Sequence, residues 1–152
     1  MKPTSAFLIC LICFIELFAC NKNNENKQTD ILNNTSNTKM KITIGTTIFT
    51  ATFYNNATAT AFKAKLPMTV NMTELNGNEK YFDLPNSLPT NASNPGTIQT
   101  GDVMLYGSNT LVLFYKTYST SYNYSRIGHI ENPTGLADAL GAGNITLKFE
   151  LE

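Results

Sequence analysis

The sequence contains no tryptophan, a single histidine (His129) and a single arginine (Arg126), and its three cysteines, Cys10, Cys13 and Cys20, all fall within the first twenty residues. Each scarcity removes a class of chemistry. Beyond Cys20 there is no thiol to form a disulfide, attack a substrate or ligate a metal. One histidine among scattered acids, without paired cysteine or histidine spacing, makes a poor metal set. No metal and no cofactor is therefore expected. Ser119, Ser121 and Ser125 lie close to His129 in sequence, but they belong to a serine-rich loop with no Gly-x-Ser-x-Gly, so nothing marks an activated nucleophile. Charge is also thin. From Met40 onward, seven Lys and Arg face eight Asp and Glu, and the lysines form no patch. Phosphate recognition needs concentrated positive charge, which excludes nucleic acid as an expected partner.

The first nineteen residues have the anatomy of an export signal: Lys2, an apolar run from Ala6 to Ile15, Glu16, then Leu17-Phe18-Ala19. The run is short of the roughly 20 apolar residues that a spanning helix needs, and Glu16 is costly in hydrocarbon. The ending Leu17-Phe18-Ala19-Cys20 resembles the lipobox of bacterial lipoproteins, with Phe18 bulkier than that pattern favours. The resemblance implies cleavage before Cys20, lipid on Cys20 and a place on the bacterial cell envelope, at the outer membrane. A plain secretory signal is the alternative. Residues 20–38 are rich in Asn, Thr and Lys and nearly devoid of apolar side chains. They cannot offset the entropy of folding, and read as a disordered tether. Residues 39–152 then form one ordinary domain.

Within that domain the signals are mainly those of strands. Met40, Ile42 and Ile44 alternate with Lys41 and Thr43, and Gly45-Thr46 returns the chain into Phe49, Ala51 and Phe53. This predicts an opening hairpin. Asn55 or Asn56 caps a helix in ATATAFKAKL, with Ala59, Phe62 and Leu66 on one face and Pro67 as its stop. Met68, Val70 and Met72 alternate again, a turn follows at Asn76-Gly77-Asn78, and a short strand runs from Lys80 to Leu84. Pro85 to Gly96 lacks periodicity and reads as a long loop. Val103–Tyr106 and Leu111–Tyr115 are strands joined by Gly107-Ser108-Asn109. The second is apolar on both faces, the mark of a central strand covered on each side. Arg126–Ile130 is a further strand, with Gly128 admitting a close neighbour or a bulge. Asn132 caps and Pro133 opens a second helix, on which Leu136 and Leu140 share a face, and Gly141 ends it. Ile145, Leu147, Phe149 and Leu151 give the last strand. Eight short strands with two helices between groups of them predict a mainly β fold, a closed antiparallel eight-stranded barrel with two short helices capping its ends.

The domain also resembles a known family. The opening MKITIGTTIFTATFYNNATATAF, the helix-ending Leu66-Pro67, and the central TGDVMLYG, LVLFYK and RIGHI with GLADAL behind them are similar to the bacterial cyclophilin-like family. The resemblance implies the cyclophilin barrel. It does not carry catalysis with it, since neither of the two strand motifs of the prolyl isomerases, nor their tryptophan, occurs here. Arg126 and His129 sit on a late strand rather than in the isomerase positions.

The remaining chemistry is aromatic. Three of the seven tyrosines, Tyr118, Tyr122 and Tyr124, fall in one loop between strands, so phenol rings are expected to gather at one barrel end. Tyrosine gives area, rigidity and a polar tip, the mix favoured at binding surfaces. Tyr106, Phe114 and Tyr115 add to the cluster from adjacent strands, with Arg126 and His129 as its polar members. For Arg126, two roles are open: a donor to a ligand, or an ion pair with Asp102 or Glu131 that fixes a loop. Asp102 after Gly101 reads as a turn acid. Glu74 and Glu79 flank a turn, and nothing in the sequence sets them apart as an acid/base pair. Two functions follow as expectations. The first is a noncatalytic module that binds a peptide, a glycan or a small neutral ligand. The second is a divergent peptidyl-prolyl isomerase with Arg126 as its donor.

Overall fold

The structure is a computed structural model that describes residues 39–152. The export signal, Cys20 and the Asn-rich segment lie outside the described residues. Ten strands and two helices follow one another: β1 (Lys39–Ile44), β2 (Thr47–Phe53), α1 (Ala57–Lys63), β3 (Met68–Leu75), β4 (Glu79–Asp83), β5 (Thr97–Ile98), β6 (Asp102–Tyr106), β7 (Thr110–Phe114), β8 (Tyr118–Ser119), β9 (Tyr124–Ile130), α2 (Leu136–Leu140) and β10 (Ile145–Leu151). Eight of the strands close into an antiparallel barrel in the order β1-β10-β3-β4-β7-β6-β9-β2, and β2 returns to β1. β5 and β8 pair separately as a small ribbon.

The interior is built by the alternation legible in the strands. Met40, Ile42 and Ile44 of β1 face Ala51 and Phe49 of β2 and Leu147 and Phe149 of β10, all buried. Phe62 of α1 is fully buried and meets Phe149 edge-on, ring centroids 5.9 Å apart. Leu136 and Leu140 of α2 enter the same core. The two helices serve opposite ends of the barrel. α1 is tied through Thr58 Oγ1 to the carbonyl of Pro89, in the loop that leaves β4. The turn after α2 is tied to Lys80, beside the turn that enters β4.

Several local expectations change. α1 ends at Lys63 rather than Leu66, because Ala64 already closes the helix as its C-cap. Its cap is Asn56, whose side-chain oxygen accepts from the Ala59 amide. Asn132 does not cap α2. It accepts instead from the Thr134 amide in a local turn, and the helix begins after Gly135, at φ 79°. This competition between a side-chain turn and a helix cap is intrinsic to asparagine. The segment from Pro85 to Gly96 is anchored along its length. Leu88 is buried and donates its amide to the Ser108 carbonyl, Asn91 donates to Ser125 Oγ, and Ser93 exchanges both backbone bonds with Tyr124.

β6, β7 and β9 are buried on both faces. Leu105, Leu111 and Leu113 point into the barrel, whereas Met104, Val112, Phe114 and Tyr124 point outward and form a second apolar cluster with Ile98 of the ribbon. The β5–β8 ribbon is thus a patch laid over the outer wall, and β7 has the double cover that its apolar run predicts.

A tyrosine-lined hollow on the outer barrel wall

The outward face of β4 carries Glu79, Tyr81 and Asp83 at alternate positions, because Lys80 and Phe82 take the inward ones. On the neighbouring strands, Thr110 and Val112 of β7 and Tyr106 of β6 share that wall, and Tyr106 is paired across the ladder with Tyr124 of β9. Together with Leu75 and Asn76 of the β3–β4 turn and with Tyr122, they enclose a hollow of about 370 Å³. Val112 forms its buried floor. Tyr106 and Tyr122 form an exposed rim, 46% and 61% accessible, and meet edge-on at 6.0 Å. Tyr124 is buried behind them, 5.6 Å from the Tyr106 ring and 5.4 Å from that of Phe114.

Beneath this rim, Tyr118 donates its hydroxyl to Oε2 of Glu79 at 2.9 Å while its ring packs on Phe114. Burial pushes the Glu79 carboxyl above the ordinary carboxylate range. The Tyr118 hydrogen bond works against that rise, and the nearby charge of Glu74 adds to it. Burial, followed by the bond to Glu79 and its charge, drives the Tyr118 phenol far above its usual value. Burial and the Glu79 charge also raise Tyr124. Both phenols are therefore neutral beside a partly desolvated carboxylate, and Tyr118 is its donor. Asp83 accepts from the Thr110 hydroxyl at 2.6 Å.

The residues singled out in the sequence are not all brought together. Tyr106, Tyr122 and Tyr124 line the hollow, and Phe114 and Tyr118 support it from behind. The cluster lies on the outer wall instead of at a barrel end, because the outward phase of β6, β7 and β9 carries these rings. Tyr115 lies outside this lining. Its hydroxyl donates to Oε1 of Glu74 at 2.8 Å, where the β3–β4 turn meets the residues after α2. His129 Nδ1 is 2.9 Å from Oδ1 of buried Asp102, whose Oδ2 accepts from the Gln99 amide as a turn acid does. Arg126 pairs with neither Asp102 nor Glu131. Its guanidinium lies 5.5 Å over the ring of Tyr54 and donates to that hydroxyl at 3.2 Å, while Glu131 is taken by Lys39 and Thr52. It is not part of the hollow's lining. The structure adds Glu79, Tyr81 and Asp83, whose spacing of two in one strand is the signal that could have found them.

A second network closes the barrel end near α2. Lys80 is fully buried. Its ammonium is bonded to Oε2 of Glu74 and to the carbonyls of Gly141 and Gly143, at 2.8 and 2.7 Å, and lies over the Tyr115 ring. Burial alone would raise the Glu74 carboxyl, but the bonds from Lys80, Tyr115 and the Gly77 amide outweigh it and hold Glu74 below the ordinary range. Burial and the bond to Glu74 push the Tyr115 phenol up to about 12.

The profile of the cyclophilin-like family matches residues 42–150. Among solved structures, the chain is similar to the solution structure of a hypothetical protein from Archaeoglobus fulgidus. That likeness has 18% identity and a TM-score of 0.53, and covers 77% of this chain and 96% of that one. It is a likeness of fold. No curated protein matches the chain. Among the described residues no helix is long and apolar enough to cross a membrane, and no three His, Cys, Asp or Glu gather to hold a metal ion.

Proposed function

The chain belongs to the cyclophilin-like family, and on that footing we propose that it is a noncatalytic ligand-binding module of the bacterial cell envelope. In this reading it is exported, anchored through lipid on Cys20 and held clear of the membrane by the Asn-rich segment. The observation that carries the binding role is the hollow on the outer wall, where exposed Tyr106 and Tyr122 stand over buried Tyr124 and Val112. Rigid amphipathic rings around a concave, partly apolar floor suit a short peptide, a glycan or a small molecule. The alternative, a divergent prolyl isomerase, would want a guanidinium inside an aromatic groove. Arg126 is spent instead on Tyr54, which favours binding without catalysis, since a fold does not fix an activity.

The test is a titration of the full chain with a panel of short peptides, oligosaccharides and small aromatic ligands. Tyrosine fluorescence reports directly because there is no tryptophan. Saturable binding is expected, weakened about tenfold or more in Tyr122→Ala, with thermal unfolding unchanged. Binding that ignores substitutions at Tyr106, Tyr122 and Tyr124, or no binding by any panel member, overturns the proposal.

A further inference from the structure

The hollow is not electrically neutral. Two of its lining residues, Glu79 and Asp83, are acids, and no lysine, arginine or histidine lines it. Neither acid takes part in an ion pair among the described residues. The partners they do have are neutral hydroxyls, Tyr118 for Glu79 and Thr110 for Asp83. Glu79 is only 9% exposed, and among the described residues nothing donates a hydrogen bond to its other oxygen, Oε1. Oε1 is not among the fully buried atoms left without a partner, so it opens on the hollow, while a carboxyl group whose residue is otherwise this buried ordinarily has a cationic partner in the fold. Here the partner is missing on the side of the open hollow. Around it stand four phenol rings, Tyr81, Tyr106, Tyr122 and Tyr124, whose faces are the negative ends of their quadrupoles and attract cations. Aromatic rings, an apolar floor, one nearly buried carboxylate without an ion-pair partner and one exposed acid beside it are complementary to one kind of guest.

We infer that the hollow takes an organic cation, an ammonium or guanidinium head on an apolar stem, with Glu79 facing the charge and Tyr106, Tyr122 and Tyr124 flanking it. This rests on the ligand-binding reading above and narrows it. The same head group occurs on a lysine or arginine side chain of a peptide and on a free amine. The chemistry that recognises them is shared.

The experiment compares each cation with a neutral molecule of the same shape, using the full chain and NMR detection of the tyrosine rings. Choline is paired with 3,3-dimethylbutanol, and N-acetyl-lysine methylamide with N-acetyl-norleucine methylamide. The expected result is saturable shifts of the Tyr106, Tyr122 and Tyr124 rings by the cations, with the neutral partners about tenfold weaker. Glu79→Gln should cut that preference several-fold, with what remains supplied by the rings and Asp83, and an undiminished preference in this variant overturns the role given to Glu79. Tyr122→Ala should weaken both members of a pair. A tighter cation in the lysine pair than in the choline pair points to a peptide source, and the reverse to a free amine; either supports the inference. Equal affinity within both pairs overturns the charge preference while leaving the ligand-binding reading standing. Absence of ring shifts with either cation overturns the inference too, and the wider ligand panel then judges the binding role separately.

Discussion

Glu74 and Glu79 flank one tight turn, yet their carboxylates point to opposite sides of the barrel wall and are shifted in opposite directions from the ordinary carboxylate value. Glu74 is opposite Lys80 in the ladder and faces inward with it, whereas Glu79 is opposite Leu75 and faces the hollow. The register of a two-stranded turn thus gives one acid a buried ammonium and denies it to the other. For Glu79, burial raises the folded-state value. A carboxyl raised on folding favours the native state below its unfolded value, and that contribution is lost as pH rises through the folded value. Glu79→Gln keeps an acceptor for Tyr118 and cannot ionise. Relative to the parent, its stability should improve as pH rises from the ordinary carboxylate range through the raised folded-state value, and then level off. Denaturant unfolding across that range measures it. A variant that loses ground with rising pH would contradict the geometry.

The Lys80 network has the opposite sign. Glu74 is held below its ordinary value, so its contribution is full above the unfolded value and disappears as pH falls through the folded one. Glu74→Ala removes the one carboxylate that, among the described residues, is bonded to the fully buried Lys80 ammonium, leaving it two carbonyls, those of Gly141 and Gly143. Breaking a buried pair from one side costs about 3–5 kcal/mol. That loss is expected at neutral pH by denaturant unfolding, and it should shrink on acidification below the ordinary carboxylate range. Lys80→Met, which removes the charge itself and retains the apolar stem, should cost less than Glu74→Ala.

Most of the barrel was legible because its strands alternate cleanly. Ile145 to Leu151 and Met40 to Ile44 each state which side faces in, and Leu111 to Tyr115 states that both sides are covered. Lys80 was not legible as a buried residue. Alternation places it inward with Phe82, but what makes that tolerable is Glu74 across the turn together with the carbonyls after α2, more than sixty residues on. The candidate site was legible in part for a similar reason. Tyr106, Tyr122 and Tyr124 are close in sequence and in space. Glu79, Tyr81 and Asp83 join them only through the β4–β7 register. Arg126 found its partner in Tyr54, 72 residues away, a pairing that no local pattern announces.

Gly128 marks where β9 is drawn tightly against β2. The β6–β9 register shifts at this point, so that Val103 faces Gly128 and Met104 faces Arg126. A Cβ at Gly128 would lie 3.0 Å from the Thr52 carbonyl oxygen and 3.3 Å from Met40 Cε. The methionine tip can move, but the backbone oxygen belongs to a barrel strand and cannot. Gly128→Ala should therefore destabilise by about 1–3 kcal/mol, the usual cost of an overpacked core. The reading is the shift of the unfolding midpoint at constant slope. An unchanged midpoint would mean that β2 and β9 separate more freely than their contact implies.

Arg126 and Tyr122 provide a pair of substitutions with contrasting outcomes. Arg126 lies partly exposed on the Tyr54 ring, outside the lining of the hollow. Arg126→Ala removes a stacking contact of modest worth, about 0.5–1 kcal/mol at an exposed site, and should leave ligand binding at the hollow unchanged. Tyr122→Ala removes half of the exposed rim and its edge contact with Tyr106, so binding should fall while stability changes little. If Arg126 were instead an isomerase donor, the parent chain would accelerate cis–trans exchange of a proline-containing test peptide and Arg126→Ala would not. The expected result is no acceleration by either protein. Any rate above background that disappears with the guanidinium would reverse the order of the two functions, because Tyr54 would then be one wall of an active groove and the tyrosine hollow a neighbouring surface.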